Sequence, residues 1–186
     1  MPPRKTQLKL NIDAAWISVN LPAGFSLILR NDARGFEQGR AGSFTTATPE
    51  EAEALGMLQG AKWALEKEWS NFSVKGDCKN LVDYLNGKPT QMEWRNQAII
   101  DEVKCEFNKC TNFLVFFYIP RLANQAADTL TKEAKTFGKF VTWVKYPPTC
   151  ILQNLEVDKS NAKDKQHHSA SENSINEDVR VPNSPS

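Results

Sequence analysis

Leu8, Leu10 and Ile12 alternate with Lys9, Asn11 and Asp13, the two-residue period of a strand with one buried face. Asp13 ends that alternation with an acid, and a carboxylate taken out of water costs free energy unless a cation, a donor or solvent offsets it. Residues 20–24 read as a turn, 25–30 (Phe-Ser-Leu-Ile-Leu-Arg) as a second strand, and 31–35 as a turn of residues that tolerate positive φ. Residues 36–44 make a third strand, weak in apolar content and so placed at or near a sheet edge. Three strands joined by short turns predict an antiparallel meander.

The period then changes. Thr48 can cap a helix, Pro49 suits its first position, and Glu51 completes a capping box. Ala54, Leu58, Ala61, Leu65 and Trp69 recur at helical spacing, which predicts a helix reaching about residue 69. A short strand over 71–75 follows, closed by Gly76-Asp77. A helix over 78–86 comes next and stops at Gly87. Ile99, Ile100, Val103 and Phe107 mark the inner face of a helix over 96–108 that opens after Trp94. Residues 113–119 are wholly apolar, the pattern of a strand buried on both faces. Asn124 is placed to cap a last helix running to about residue 135.

Strands joined through helices after a meander predict an α/β fold, a five-stranded mixed sheet flanked by helices on both faces. The chain divides into a lead at 1–7, a domain over 8–138, an extended strap over 139–153 and a polar tail over 154–186, read as disordered. Trp16, Trp63, Trp69 and Trp94 are expected in the core or at an interface.

Charge changes the picture only modestly. Residues 1–150 carry 19 basic and 16 acidic side chains, and residues 151–186 carry 4 and 6. If several of the domain's acids share one site, the remaining surface is basic enough for a polyanion without demanding one. No apolar run approaches the roughly 18–20 residues of a membrane span, and no apolar stretch follows Met1 to mark a secretion signal. Cys78, Cys105, Cys110 and Cys150 lack metal-ligand spacing and are read as reduced thiols of an intracellular protein. The only histidines, His167 and His168, lie in the polar tail. Ser-His-Asp and Cys-His catalysis and histidine-based zinc sites are therefore excluded from the folded part.

Four acids stand where strand ends and helix starts converge at one edge of such a sheet: Asp13, Glu53, Asp77 and Asp128. Helix N-termini favour each negative charge by roughly 0.3–1 kcal/mol. Two carboxylates ~4 Å apart repel by ~4 kcal/mol at an effective dielectric of ~20, so helix ends alone are not enough. Two divalent cations balance four carboxylates. With 22 acids in the chain, spacing alone does not single out this set. Each member also has a plain structural reading: a solvated strand end for Asp13, exposed helix positions for Glu53 and Asp128, a helix cap for Asp77.

Leu-Asn-Ile-Asp-Ala-Ala, Glu-Ala-Glu-Ala-Leu, Val-Lys-Gly-Asp-Cys-Lys-Asn-Leu-Val and Ile-Pro-Arg-Leu-Ala-Asn-Gln-Ala-Ala-Asp-Thr-Leu occur in that order. Over about residues 8–134 this series resembles type 1 ribonuclease H, and is most similar to the reverse-transcriptase-associated form of plant non-LTR retroelements and their domesticated relatives. The resemblance implies a ribonuclease-H-like fold, with Asp13, Glu53, Asp77 and Asp128 as ligands of two Mg²⁺ (or Mn²⁺) and as the catalytic set. It implies hydrolysis of the RNA strand of an RNA–DNA hybrid, leaving a 3′-hydroxyl and a 5′-phosphate. Candidate nucleic-acid contacts are Asn11, Ala14, Ala15, Thr46, Arg121 and Asn124, of which Arg121 and Asn124 also read as a loop anchor and a helix cap.

The chain departs from the family pattern in three places. Ala14 follows the first Asp where the family usually has Gly. Tyr118 stands ten residues before the last Asp, where some members carry an assisting His; a phenol is a poor proton shuttle near neutral pH. Only one helix fits between Gly87 and residue 113, so the basic protrusion of bacterial enzymes is absent. The expected function is a metal-dependent hybrid endonuclease, a ribonuclease H. Its rival is a catalytically weak or inactive module on the same fold that binds nucleic acid or protein. A proofreading 3′ exonuclease is set aside, because Ala15 stands where that chemistry wants an acid.

Overall fold

The opening alternation builds β1 (Leu8–Ala15), which pairs antiparallel with β2 (Ala23–Arg30), itself antiparallel to β3 (Phe36–Phe44). A computed structural model describes residues 7–160. Helix α1 (Pro49–Glu66) leads to β4 (Phe72–Gly76), α2 (Lys79–Leu85), α3 (Gln97–Lys109), β5 (Phe113–Tyr118) and α4 (Gln125–Ala134). β4 runs parallel to both β1 and β5. The sheet is thus mixed, with helices on both faces, as the element order predicts.

Two sets of side chains divide the sheet. Leu10, Ile12, Leu27, Leu29, Phe72 and Val74 point to one face, where α1, α2 and α3 cover them in the main core. Ile28 and Ala41 point to the other, against Ala126, Ala127, Leu130 and Ala134 of α4. Both layers sit close to the strands. A Cβ on Gly60 of α1 would lie 2.5 Å from Ile12 Cδ1, and one on Gly24 of β2 would lie 2.4 Å from the Thr131 carbonyl of α4. Missing side chains at these positions let both helices approach the paired strands.

The α1 cap differs in detail from a capping box. Thr48 Oγ1 accepts from the Glu51 backbone N–H at 3.1 Å, while the Glu51 carboxylate accepts from Ala47 N–H, at 2.6 Å, rather than from the cap residue. The helix ends at Glu66, before the expected Trp69, because Glu68 turns to φ 53°. Trp69 is nonetheless buried, edge-on to the fully buried Trp63 at 4.7 Å. Trp16 is half-buried, and Trp94, expected in a core or interface, is exposed.

The structure corrects the sequence expectation at several places. Residues 113–119, expected to be buried on both faces, form an edge strand whose Leu114, Phe117 and Tyr118 are exposed. An irregular register against β4 turns both Phe113 and Phe116 onto Phe107, at 4.9 and 5.0 Å, so one helix layer covers them. The sheet has six strands rather than five, in the order β5-β4-β1-β2-β3-β6. Within the expected strap, β6 (Val141–Val144) pairs antiparallel with β3, since open edge groups of β3 and a Val-Thr-Trp-Val run satisfy each other.

The polar tail begins later than residue 154. Residues 152–160 form a helix, α5, held by the buried Leu155 and by an Asp158–Arg30 ion pair at 2.7 Å. One apolar contact and one charge contact, spaced along the helix, suffice where composition reads as polar. The lead at 1–6 and the remaining tail at 161–186, with His167 and His168, lie outside the described residues. Finally, Asn124 makes no side-chain cap to α4; its amide is used elsewhere, as described below. Among the described residues no helix is long and apolar enough to cross a membrane, and all four cysteines are unpaired.

Gly24→Ala should lower stability by about 1–3 kcal/mol in urea denaturation, because its Cβ meets the backbone of α4. Gly138→Ala, where nothing lies within 4 Å of the added carbon, should change it by less than about 0.5 kcal/mol.

Candidate metal centre

Register decides which acids meet. Asn11 of β1 lies beside Lys75 of β4 in a parallel pair, so two residues further on Asp13 and Asp77 leave the same edge side by side. Glu53 sits in the second turn of α1, and the close seat of that helix on β1 carries it to the same place. One carboxylate oxygen from each of Asp13, Glu53 and Asp77 lies within 4.8 Å of the other two. They line a cleft of about 320 Å³ with Ala14, Cys78 and Arg121.

Electrostatics sets this trio apart. Asp13 is 1% exposed, and its Oδ2 has no hydrogen-bond partner. Burial, then the charge of Asp77, pushes its carboxyl up to about 7, although the nearby Thr131 hydroxyl and Arg121 work the other way. Glu53 is raised well above the ordinary range by its own burial and by Asp13 and Asp77. Burial also raises Asp77, a rise the nearby Arg121 partly opposes. Burial pushes the Cys78 thiol up to about 11, so without a metal it is a neutral neighbour of the trio.

Asp128 is placed differently. It stands in the first turn of α4, but its carboxylate is outside the trio. Arg121 donates to its Oδ1 at 2.7 and 3.2 Å, and Lys132, four residues along, pairs with Oδ2. Partial burial pushes this carboxyl up, but the hydrogen bonds from Lys132 and Arg121 outweigh it and hold it below the ordinary range.

The candidate nucleic-acid contacts also separate. Ala14 and Arg121 line the cleft, and Ala15 is half-buried. Asn11, Thr46 and Asn124 are buried. Asn11 Nδ2 donates to Asn124 Oδ1 at 3.0 Å, and Asn124 Nδ2 donates to the Ile12 carbonyl at 2.9 Å. This amide pair binds the segment before α4 to β1, so it braces the edge that carries Asp13. The Thr46 carbonyl accepts from Trp16 Nε1 at 3.3 Å. Asn11 and Asn124 thus spend their amides within the protein, whereas Thr46 contributes only its backbone carbonyl.

Three participants, Ser26, Thr131 and Lys132, went unread in the sequence. Thr131 donates to Ser26 Oγ at 2.8 Å, and Ser26 donates to the Ala127 carbonyl at 2.8 Å, so a hydroxyl pair fastens α4 to β2 behind Asp13. A hydroxyl in the Ala127–Leu130–Ala134 stripe was the available signal. Lys132 was legible as the i+4 partner of Asp128.

The donor set suits a hard divalent cation. Three carboxylates converge, one buried oxygen lacks any donor, and no imidazole among the described residues competes. Bringing such charges together without a counter-ion is what raises the trio's proton affinity.

Residues 11–134 match the family model described as reverse transcriptase-like. The fold is similar to the N-terminal RNase H domain of a Mycobacterium tuberculosis protein, solved as a fusion with maltose binding protein. That likeness has 17% identity and a TM-score of 0.62, covering 70% of this chain and 94% of that one. RNase H1 from the halophilic archaeon Halobacterium salinarum is similar at 19% identity and a TM-score of 0.59, with coverages of 69% and 96%. LC11-RNase H1, solved in complex with an RNA/DNA hybrid, is similar at 17% identity and a TM-score of 0.62, again with 69% and 96% covered. The architecture is thus the ribonuclease-H-like α/β fold. No curated protein matches the chain.

The raised carboxyl of Asp13 binds a proton in the folded state that the unfolded chain releases near its ordinary value of 3.8. Metal-free stability should therefore fall as pH rises from about 4 to 7, by an order of 4 kcal/mol from this group. Asp13→Asn should flatten that slope, raise the melting temperature at pH 8 in EDTA, and reduce the stabilisation produced by added Mg²⁺. Calorimetric scans across pH, with and without metal, measure all three.

Proposed function

The chain belongs to the reverse transcriptase-like family, and on that premise we propose that it is a ribonuclease H: a metal-dependent endonuclease that hydrolyses the RNA strand of RNA–DNA hybrids. The observation that carries the reading is the convergence of Asp13, Glu53 and Asp77 within 4.8 Å, with a buried, unpartnered oxygen on Asp13.

Asp13, Glu53 and Asp77 would hold Mg²⁺ or Mn²⁺, with Asp128 as a fourth ligand once its cations let it turn. Bound there, divalent metal supplies a lowered pKa for attacking water and charge stabilisation for the departing oxygen. The chain's own residues do the rest. Asp13 must give up its proton before it can act as a ligand, so loading should strengthen as pH rises through about 7. Arg121, exposed at the rim and already felt by Asp13 and Asp77, offers a cation to a phosphate beside the cleft. Ala14, where the family usually has Gly, lines the cleft and its methyl narrows the approach of a sugar-phosphate chain to the floor. Tyr118 stands where some family members carry an assisting His, and a phenol is a poor proton shuttle near neutral pH, so slow turnover is expected.

The second reading, a weak or inactive module that binds nucleic acid, draws on one observation. Arg121 and Lys132 both hold Asp128, which keeps the fourth carboxylate out of the trio. Hybrid that binds and stays intact would favour it.

A labelled RNA–DNA hybrid incubated with the full chain and Mg²⁺ or Mn²⁺ should be cut in the RNA strand, with 5′-phosphate ends. Asp77→Asn should lower the rate at least a hundredfold. Cleavage no greater than that of Asp77→Asn in either metal would overturn the enzyme reading.

A further inference from the structure

A cavity of about 550 Å³ opens beside the acid cleft, on the α4 side of the sheet, and none of Asp13, Glu53, Asp77 or Asp128 lines it. Strand alternation creates it. Leu10, Leu29 and Val74 go to the main core, so Lys9, Arg30 and Lys75 emerge on the opposite face. A sheet position shielded on this side would ordinarily carry apolar residues. Here it carries three cations, joined by Arg34 from the turn after β2.

Their charges are poorly matched. The one acid in the lining, Asp158 of α5, pairs with Arg30 at 2.7 Å, and its backbone carbonyl accepts from Arg34 at 2.9 Å. Arg30 is 7% exposed, and its Nε–H has no acceptor. Lys9 and Lys75, both half-buried, form no ion pair among the described residues. Burial, followed by repulsion from Lys9, Arg34 and Arg30, lowers the pKa of Lys75. A buried donor without an acceptor and two unpaired ammonium groups are costly to maintain in a concave site. An oxyanion placed among them pairs with the two ammonium groups, beside the guanidiniums of Arg30 and Arg34.

The opposite wall is apolar, built by Ile119, Pro120 and Leu122 from the segment between β5 and α4. Guanidinium and ammonium groups facing an apolar wall suit a phosphate carrying a sugar or base, and the volume falls in the range of small-ligand pockets. We propose that this cavity binds the phosphate of a nucleotide, either free or at the end of a strand. The proposal does not rest on the hydrolase reading, because the two sites share none of the acids.

The test is titration calorimetry of the full chain in EDTA with inorganic pyrophosphate as the probe. Saturable one-to-one binding is expected. Lys9→Gln/Lys75→Gln should weaken it at least tenfold, whereas Asp13→Asn/Asp77→Asn should leave it within twofold. Circular dichroism checks that the lysine variant is folded, and Arg34→Gln, weakening binding at least threefold, serves if it is not. Competition then identifies the source. Displacement of pyrophosphate by a 5′-phosphorylated RNA trinucleotide, but not by its unphosphorylated form, assigns a strand end; displacement by ADP alone assigns a free nucleotide. Absent saturable binding, or equal binding by the wild type and the folded lysine variant, the proposal is overturned.

Discussion

A buried carboxylate with one oxygen left without a hydrogen bond, in a place water barely reaches, governs the arrangement of this molecule. Asp13 lies near the end of β1, pressed between two helix layers, and its Oδ2 receives no hydrogen bond among the described residues. Isolated in that position, the ionised group would cost several kcal/mol. The fold makes it worse by adding Glu53 and Asp77 to the same cleft. Such a placement is stable either with protons held above their ordinary affinity or with a cation in their stead, and both responses follow from one cause, desolvation plus mutual repulsion.

The surroundings hold that carboxylate still. Glycines at 24 and 60 let α4 and α1 close on the strands from opposite sides, and the Asn11–Asn124 pair and the Ser26–Thr131 hydroxyls tie the α4 side down. Polar side chains on this face of the sheet are therefore mostly spent on each other. What they build is rigidity, the property a site needs if its ligands are to keep their geometry without a bound ion.

Charge is also sorted across short distances. Arg121 and Lys132 gather around Asp128, while the trio beside it has no paired cation. Further along the same sheet face the sign reverses, and Lys9, Arg30, Arg34 and Lys75 outnumber Asp158. The segment between β5 and α4 separates the two fields. Its Arg121 lines the acid cleft, and its Ile119, Pro120 and Leu122 wall the basic cavity. One short stretch thus touches both regions.

Alternation and capping are local properties, and for that reason the linear chain by itself determined the meander, the four helices between and after the strands, and the mixed character of the sheet. The four acids were individually visible as strand-end and helix-start residues, and as an ordered motif series. What the chain order does not encode locally is who lies beside whom. Parallel register sets Asp13 next to Asp77, and the seat of α1 brings Glu53 to them, whereas Asp128 stays with the sequence-local cations Arg121 and Lys132. The burial of Asn11, Thr46 and Asn124, the recruitment of residues 141–144 into the sheet, and the docking of α5 through Leu155 and Asp158 were likewise tertiary decisions. Each depends on an open edge or an unfilled face made by residues more than a hundred positions away or on another element. A window of sequence carries no record of such a vacancy until the sheet has formed.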